Sequence, residues 1–346
     1  MNLITGGAGF IGCNLSHYLL SKGEDVLLFD NLSRLGSENN LAWLKKQNAN
    51  GRLNIIQGDI CDFDALKKAV ANANIVYHLA GQVAVTTSLD NPRSDFNNNI
   101  LGTFNLLEAI RLSEHKPILV CASTNKVYGE LLGINIVENA TRYECPDNPH
   151  GISELQPLDF YSPYGCSKGA VDQYVHDYSR SYSLPTVVFR MSCIYGQRQF
   201  GTTHQGWLAH FMLATAKGDP ITIYGNGKQV RDILYIDDLV KAFYLAGNNI
   251  NITKGKIYNV GGGSENTISI WSEFNDLLCN ITGNETPPIN YANARVGDQC
   301  YYVSDIRKIK KDLNWDPKVN IQEGIEYLWE WALSNMNKKF IVGGKN

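Results

Sequence analysis

The sequence predicts an α/β protein with a doubly wound parallel sheet and a smaller C-terminal α/β lobe. Short apolar runs alternate with amphipathic segments over the first half of the chain, which is the pattern of a parallel sheet covered by helices on both faces. The length of 346 residues suits one large unit or two lobes. Hydrophobic residues make up 44% and charged residues 19%, a balance typical of globular proteins.

The strands of the sheet are predicted from short apolar runs that end in polar or glycine-containing turns. Helical spacing of apolar residues lies between them, as at Leu15, Leu19 and Leu20. The predicted strands are Asn2–Thr5, Asp25–Asp30, Leu53–Gln57, Ile75–Leu79, Pro117–Ala122 and Pro185–Arg190.

The alternation stops at Gly129–Pro163, a segment rich in Pro, Asn and Glu that predicts a long surface loop. Past Tyr195 the pattern is irregular, and separate helices are predicted around Trp207–Lys217 and Ile270–Leu278. We therefore expect one domain over residues 1–190, with 233–262 returning to it. Residues 191–232 and 263–340 are expected to form the second lobe.

Composition excludes several classes of protein. The net charge of −3 gives no reason to expect a nucleic-acid partner. No apolar run approaches the roughly 18 to 20 residues of a bilayer span, so no membrane partner is expected. Most cysteines lie within apolar patterns, as free thiols do, and a cytoplasmic protein is predicted. No histidine has partners at metal-ligand spacing, so no metal site is expected.

A glycine-rich turn follows the first strand and opens an amphipathic helix, with glycines at Gly6, Gly9 and Gly12. Glycine lets the chain reverse tightly and lets a pyrophosphate approach the helix N-terminal amides. Asp30 ends the second strand, where a carboxylate accepts hydrogen bonds from ribose hydroxyls. It would repel a 2′-phosphate and so favours NAD over NADP, although Arg34 nearby keeps NADP open.

Tyr164 and Lys168 are four residues apart, which places both on one face of a helix. An ammonium and a positive nicotinamide ring beside the phenol should lower the pKa of Tyr164 toward neutrality. Tyr164 is therefore a candidate general base for a hydroxyl whose carbon loses a hydride. Thr124 follows the fifth strand, at the edge where parallel sheets bind ligands, and is positioned to hydrogen-bond the same hydroxyl.

These motifs together resemble the extended short-chain dehydrogenases/reductases that act on nucleotide sugars, over nearly the whole chain. The resemblance implies bound NAD, a Ser/Thr–Tyr–Lys catalytic group (Thr124, Tyr164, Lys168) and a C-terminal lobe that holds a nucleotide diphosphate. The expected cofactor residues are Gly6, Gly9, Phe10, Ile11, Gly12, Asp30, Asn31, Ser33, Arg34, Asp59, Ile60, Leu79, Ala80, Gly81, Asn99, Ser123, Tyr164 and Lys168.

A narrower resemblance lies in the segments 81–88, 123–129, 158–169 and 205–207, which look like those of CDP-tyvelose (CDP-paratose) 2-epimerases. It implies transient oxidation at C2 of a CDP-hexose and return of hydride to the opposite face. The expected substrate residues are Gln82, Thr124, Asn125, Gln205, Thr222, Tyr224, Arg231, Arg295 and Asp298. Cytidine rests on the resemblance alone.

Related activities stay open at this point. Asn125 and Lys126 stand where dehydratases of the family carry an acid pair, so dehydration is not expected. Another CDP- or GDP-hexose 2-epimerase, or a UDP-hexose 4-epimerase, would use the same catalytic group. A catalytically silent NAD-binding sensor or scaffold is the alternative of another class. The resemblance also implies a homodimer or homotetramer.

Overall fold

A computed structural model describes residues 1–48, 51–283 and 287–335. The strands, numbered in chain order, are β1 (Asn2–Thr5), β2 (Val26–Asp30), β3 (Leu53–Gln57), β4 (Ile75–His78), β5 (Ile118–Thr124), β6 (Val137–Glu138), β7 (Tyr143–Glu144), β8 (Thr186–Met191), β9 (Cys193–Tyr195), β10 (Ile221–Tyr224), β11 (Val230–Tyr235), β12 (Ile257–Val260), β13 (Thr267–Ser269), β14 (Ile289–Ala292) and β15 (Tyr301–Tyr302).

Helices occupy most of the chain between the strands. They are α1 (Phe10–Ser21), α2 (Ser37–Gln47), α3 (Phe63–Val70), α4 (Val85–Asp90), α5 (Pro92–Phe96), α6 (Gly102–Leu112), α7 (Ser162–Tyr182), α8 (Trp207–Lys217), α9 (Ile236–Asn248), α10 (Ile250–Thr253), α11 (Phe274–Thr282), α12 (Arg307–Leu313) and α13 (Ile321–Asn335), with a π-helical turn at Asn97–Leu101 and a 3₁₀ turn at Asn125–Tyr128.

Seven strands form a central parallel sheet in the order β12-β8-β5-β4-β1-β2-β3. The chain runs outward from β1 in one direction and from β4 in the other, so the order reverses between these two strands. A reversal of this kind opens a crevice at the carboxyl ends of the strands, where α/β sheets bind ligands. The predicted doubly wound Rossmann-type fold is confirmed.

The sheet is buried on both faces because successive side chains point to opposite sides. Ile4 and Leu28 belong to the apolar cluster on one face, and Leu3 and Leu27 belong to the cluster on the other. This burial explains why the six predicted strands lie within two residues of the observed ones at each end. The seventh strand, β12, comes from beyond the irregular region.

Smaller sheets follow β8. The strand β11 is their centre, pairing antiparallel with β13 and parallel with β9 and β15. The strands β10 and β14 form a separate parallel pair. The helix predicted at Trp207–Lys217 is α8, whereas the one predicted around Ile270–Leu278 begins later, as α11 at Phe274.

The segment Gly129–Pro163 is mostly irregular and largely exposed, as its composition predicts, but parts of it are structured and buried. It contains the β6–β7 hairpin, and its apolar side chains Leu131, Cys145 and Ile152 are buried against Tyr302 and its neighbours. Ile152 also forms a bridge with Ser304. Pro and Asn disfavour long regular elements, but they do not prevent sparse apolar residues from packing between the two sheets.

A membrane-spanning helix and a metal-binding cluster are both absent from the described part of the chain. None of its helices is both long enough and apolar enough to cross a membrane. No group of three or more His, Cys, Asp or Glu side chains within residues 1–48, 51–283 and 287–335 could hold a metal ion.

Candidate active site

The glycine loop joins β1 to α1 at the crevice. Gly6 has a φ of +69°, and a Cβ there would lie 2.7 Å from the backbone nitrogen of Ala80. A Cβ on Gly12 would lie 2.3 Å from the carbonyl oxygen of Gly6. Glycine at these positions therefore allows the loop, the end of β4 and the start of α1 to touch.

The first turn of α1 is open to an anion. Its N-cap, Gly9, offers no side chain to bond the first amides of the helix. A Cβ on Gly9 would meet a single neighbour, the carbonyl oxygen of Gly6 at 3.2 Å. Phe10 and Ile11 follow and line the adjoining cavity. Free amides at a helix N-terminus are suited to a pyrophosphate.

Asp30 stands at the end of β2 beside this loop. Its Oδ2 accepts the amide of Ala8 at 2.9 Å and its Oδ1 accepts the amide of Leu32 at 2.7 Å. Burial raises the pKa of Asp30, although these backbone bonds oppose the rise. The carboxylate is thereby fixed at the strand end with lone pairs left for a ribose.

Asn31 connects the loops after β2 and β3. Its side-chain amide donates to Asp59 Oδ2 at 2.9 Å, and its Oδ1 accepts the hydroxyl of Ser33 at 2.7 Å. The other carboxylate oxygen of Asp59 accepts the amide of Cys61 at 2.8 Å. Burial opposes ionisation of Asp59, but these hydrogen bonds hold its pKa below the ordinary value. Ile60, between them, is buried.

Arg34 contacts the segment before α8. Its Nη2 donates to Gln205 Oε1 at 2.6 Å. This contact joins a residue predicted for the cofactor to one predicted for the substrate. The structure therefore brings the two predicted groups into contact at Arg34 and Gln205.

The end of β4 forms the floor of the cleft. The amide of Leu79 donates to the carbonyl of Thr5 at 3.1 Å, and a Cβ on Gly81 would press on Asn99 Oδ1 at 2.6 Å. Ala80 lies between these two residues, where its backbone faces Gly6. Ala80 and Gly81 carry no large side chain, which leaves the backbone after β4 accessible.

Asn99 lies in the π-helical turn, a distortion frequent at functional sites. Its Oδ1 accepts the amide of Gln82 at 2.9 Å, and its Nδ2 donates to Asp95 Oδ1 at 3.1 Å and to Ser167 Oγ at 2.9 Å. The Gln82 side chain is bonded to the backbone of Ala84. Asn99 therefore links the turn after β4 to the helix α7.

Tyr164 and Lys168 lie on the first turns of α7, as predicted, and both are buried. Lys168 Nζ donates to the carbonyl of Ala122 in β5 at 2.6 Å. The Tyr164 amide donates to Ser88 Oγ at 3.1 Å, and the Tyr164 side chain hydrogen-bonds Thr124. The structure thus joins Thr124 to Tyr164 and places Lys168 one helical turn further along α7, with its ammonium bonded to β5.

The pKa of Tyr164 departs from the sequence prediction. Burial raises it to about 12; the hydrogen bond from Thr124 and the charge of Arg34 lower it, and Asp95 raises it further. The predicted lowering is not supplied by the chain's own groups, because Lys168 is bonded to a backbone carbonyl and desolvation dominates. A lowering toward neutrality needs the positive charge of a bound cofactor.

Ser123 faces away from this group. Its hydroxyl donates to Asp172 Oδ2 at 3.0 Å, and Asp172 also accepts two bonds from Arg190 at 2.8 Å each. Arg190 in turn donates to the hydroxyl of Tyr128 at 3.0 Å. This buried network ties β5, α7 and β8 together behind the reacting groups.

A cavity of about 330 Å³ extends from Thr124 and Tyr164 to residues of β10 and β11 and to the segment 295–298. Among the predicted substrate residues, it is lined by Thr124, Asn125, Gln205, Thr222, Tyr224, Arg231, Arg295 and Asp298. Gln82 lies at the turn after β4, outside this lining. Asn125 is held by its bond to Gln299 at 3.1 Å.

The far part of the cavity is strongly charged. Arg231 Nη2 lies 2.7 Å from Asp298 Oδ1, and the guanidinium of Arg295 lies 3.6 Å from the centre of the Tyr224 ring. Burial opposes ionisation of Asp298, but Arg231, Lys126 and Arg295 hold its pKa below the ordinary value. An anionic ligand would meet a positive wall here.

The structure adds residues that sequence reasoning missed. Thr86 Oγ1 and His204 Nδ1 are 3.0 Å apart and close the cavity on one side, and Trp207 and His210 line it. Lys126 lines it near Thr124. The sequence pointed only to segments that contain or adjoin some of these residues, through the narrower resemblance at 81–88, 123–129 and 205–207. The individual contacts join residues that are far apart in the chain, so no local sequence pattern predicts them.

The residues present fit NAD. Gly9 has no side chain, which leaves room at the helix N-terminus for a pyrophosphate. The Asp30 carboxylate, at the end of the neighbouring strand β2, is oriented by the amides of Ala8 and Leu32. The Tyr164 phenol and the Thr124 hydroxyl meet at the other end of the cleft, and the Lys168 ammonium is bonded to the carbonyl of Ala122 in β5. These are the donors and acceptors that a dinucleotide needs.

Known proteins resemble this chain over nearly its whole length. The family model for GDP-mannose 4,6 dehydratase matches residues 3–328. The CDP-paratose 2-epimerase of Salmonella typhi is 43% identical over 343 residues, covering 96% of this chain and 99% of that protein.

Two solved structures show the same fold. The UDP-glucuronic acid 4-epimerase of Bacillus cereus, in complex with UDP-glucuronic acid and NAD, has a TM-score of 0.82 at 28% identity, covering 96% of this chain and 98% of that one. The UDP-glucose 4-epimerase of Thermotoga maritima, with UDP-glucose, has a TM-score of 0.81 at 30% identity and the same coverage of both chains. The chain therefore belongs to the extended short-chain dehydrogenase/reductase family of NAD-dependent epimerases and dehydratases.

Proposed function

We propose that the protein is an isomerase, a nucleotide-sugar epimerase that inverts C2 of a CDP-hexose, with CDP-paratose and CDP-tyvelose as the substrate pair. The observation that carries the epimerase is the hydrogen bond between Thr124 and Tyr164 at one end of a cavity whose other end holds Arg231 and Arg295, with Lys168 one helical turn after Tyr164. A sugar and its diphosphate would span these two ends. The choice of CDP and of C2 is supported by the 43% identity to CDP-paratose 2-epimerase.

NAD⁺, when bound, accepts a hydride from the sugar carbon and returns it. Tyr164 takes the proton of the C2 hydroxyl, and Thr124 hydrogen-bonds the same oxygen before and after it becomes a carbonyl. Lys168, whose Nζ is bonded to the carbonyl of Ala122, would help to hold the cofactor beside Tyr164, and the positive charge of the bound cofactor would favour the phenolate. The cavity lets the 2-keto sugar turn, so that hydride returns to its other face and the proton goes back from Tyr164 with no net redox change.

The turn after Thr124 favours epimerisation over dehydration. Loss of water from a sugar needs a proton donor for the leaving hydroxyl and a base at the neighbouring carbon. The residues there are Asn125, which is bonded to Gln299, and Lys126, a cation that cannot serve as a carboxylate base.

Replacement of Tyr164 by Phe tests the proposal. Y164F should lower the epimerisation rate at least about a hundredfold, because the general base is lost, while copurified NAD measured by absorbance and mass spectrometry stays at the wild-type level. Y161F is the matched control, since Tyr161 is 42% exposed. Unchanged turnover in Y164F would overturn the catalytic assignment and favour the silent NAD-binding alternative. Turnover of UDP- or GDP-hexoses instead would keep the mechanism and change the substrate.

We propose the same division into lobes that the sequence predicts. Residues 1–190 and 233–262 would bind NAD, and 191–232 with 263–340 would bind the nucleotide sugar; 336–340 lie outside the described residues. The pairing of β12 with β8 supports the return of the chain to the first lobe. Hydrogen exchange should show protection by CDP mainly in the second lobe, and uniform protection of both lobes would contradict the division.

We propose that the chain forms a homodimer, or a homotetramer built from it, through α6 and α7. Phe104 and Tyr174 pack edge to face on adjoining helices yet are 40% and 47% exposed, and Tyr182 is 47% exposed. Covering such aromatic side chains is favourable. Y174E should halve the mass measured by light scattering, with L155E, at an exposed position elsewhere, as control; an unchanged mass would exclude this face.

We further propose that the enzyme works in the cytoplasm, on nucleotide-sugar precursors of a bacterial surface polysaccharide of the O-antigen type. The relative named CDP-paratose 2-epimerase supports this setting. Deletion of the coding sequence should remove the inverted sugar from the surface polysaccharide, as read by sugar analysis, and an unchanged sugar composition would contradict it.

A further inference from the structure

Lys126 is a charged residue of the cavity with no role so far. It lies on the 3₁₀ turn, two residues after Thr124, and its side chain is 19% exposed. Its Nζ donates to the carbonyl of Gly297 at 3.0 Å and lies 3.6 Å from Asp298 Oδ1. The ammonium is thus held between the catalytic strand and the segment that carries the predicted diphosphate ligands.

The charges around Lys126 do not balance. Asp298 Oδ1 also receives Arg231 at 2.7 Å, and Arg295 faces the same cavity from its place over the Tyr224 ring. Three cations therefore surround one carboxylate. Uncompensated charge in a partly desolvated site is costly unless a ligand of opposite sign completes it. A sugar-linked diphosphate, with one negative charge on each phosphate, would supply that compensation.

The three cations are also spread along the cavity. Lys126 is the one adjacent to Thr124, where the sugar reacts, whereas Arg295 lies over Tyr224 of β10, in the second lobe. Because the diphosphate joins the sugar to the nucleoside, its phosphate next to the sugar would lie near Lys126 and its phosphate next to the nucleoside near Arg295. The ammonium, a compact charge on a flexible stem, suits a single phosphate oxygen.

We propose that Lys126 binds the phosphate next to the sugar and makes the site selective for nucleoside diphosphates over monophosphates. This rests on the proposed nucleotide-sugar function. Arg231 and Arg295 then hold the phosphate next to the nucleoside. Lys126 thereby fixes the distance between the diphosphate and the carbon presented to Tyr164.

Calorimetry on the NAD-loaded protein tests this with CDP, CMP, UDP and UMP as probes. Loss of a charge-assisted hydrogen bond should weaken CDP binding by K126M about tenfold to a hundredfold, while CMP affinity changes less than threefold. K126R should recover most of the CDP affinity. K256M is the matched control, because Lys256 pairs with Asp312 away from the cavity, and it should bind like wild type. If K126M does not retain NAD, K126Q provides the same comparison.

Other outcomes would overturn the inference. A K126M that still prefers CDP over CMP as strongly as wild type would remove Lys126 from the phosphate site. Equal weakening of CDP and CMP would mean that Lys126 only holds the segment of Gly297 and Asp298 in place. A wild-type preference for UDP over CDP, with both diphosphates weakened alike in K126M, would support Lys126 while contradicting the proposed cytidine substrate.

Discussion

Gly9 and Gly12 belong to one loop but differ in their surroundings. A methyl group on Gly12 would press on the backbone of Gly6 and Gly7, whereas one on Gly9 would enter the open side of the loop. G12A should therefore both destabilise the fold and abolish NAD retention. G9A should keep its midpoint of thermal unfolding within about 2 °C, since Gly to Ala reduces the entropy of the unfolded chain, yet lose NAD affinity at least about tenfold. Thermal unfolding with and without NAD measures both, and wild-type NAD affinity in G9A would contradict the assignment of this space to the pyrophosphate.

His78 links stability to pH. Its ring nitrogens lie 2.7 Å from Thr5 Oγ1 and 2.9 Å from Thr103 Oγ1, and burial, with the charge of Lys168, lowers its pKa to about 3. The histidine of the unfolded chain protonates near its ordinary pKa of about 6.5. The contribution of neutral His78 to the free energy of unfolding is therefore complete above that pH. It is lost as pH falls toward 3, by about 2 kcal/mol at pH 5.

Urea unfolding at pH 7 and pH 5 measures this effect. H78Q should show a pH-dependent loss of unfolding free energy about 2 kcal/mol smaller than wild type, though its stability at pH 7 is lower. H115Q is the control, because His115 is exposed. Equal losses in wild type and H78Q would contradict the assignment.

The chemical roles of single residues were predictable where they depend on spacing. Tyr164 and Lys168 share a helix face, and Thr124 ends a strand, so local pattern was enough to bring them together. The direction of the Tyr164 pKa was wrong for the chain alone, because burial depends on the complete fold. Lys126 was missed as a ligand because its partners Gly297 and Asp298 lie far along the chain.

At the level of helices and strands, a buried ion pair holds together the elements that carry the site. Asp172 of α7 and Arg190 of β8 are almost fully buried and make two hydrogen bonds, and Ser123 of β5 joins them. D172N should lower the unfolding free energy by about 3–5 kcal/mol, because it leaves the guanidinium uncompensated. D316N, in an exposed pair with Lys310, should cost less than about 1 kcal/mol. Urea unfolding compares them, and equal costs would contradict the structural role.

Helices and strands were predictable from the sequence where the pattern of neighbouring residues determines them. The strands of the central sheet are apolar because both faces are covered, and this pattern is readable in sequence. The segment Gly129–Pro163 is the irregular stretch that its composition predicts, but the burial of its few apolar residues was not predictable, since Ile152 packs in a cluster with Tyr302, 150 residues further along the chain. The strand β12 was not predicted for the same reason, because it pairs with β8, which lies more than 60 residues earlier in the chain.

The complete protein combines a cofactor cleft and a charged cavity that meet at Tyr164. The cleft is lined by small residues and fixed carboxylates, and the cavity by cations. Arg34 and Gln205 connect the two across the opening at 2.6 Å. This arrangement would keep NAD and the sugar in one enclosed space, as a reaction that returns its hydride requires.

Proton NMR of the reaction in deuterated water examines this directly. The purified protein, without added cofactor, is incubated with CDP-, UDP- and GDP-hexoses, with Y164F as control. We predict inversion at C2 of a CDP-hexose with no deuterium at that carbon, because the hydride leaves and returns within the site. Deuterium at the inverted carbon would show exchange with solvent through an enol and contradict direct oxidation at C2. No inversion of any sugar by protein that carries NAD would contradict the epimerase itself.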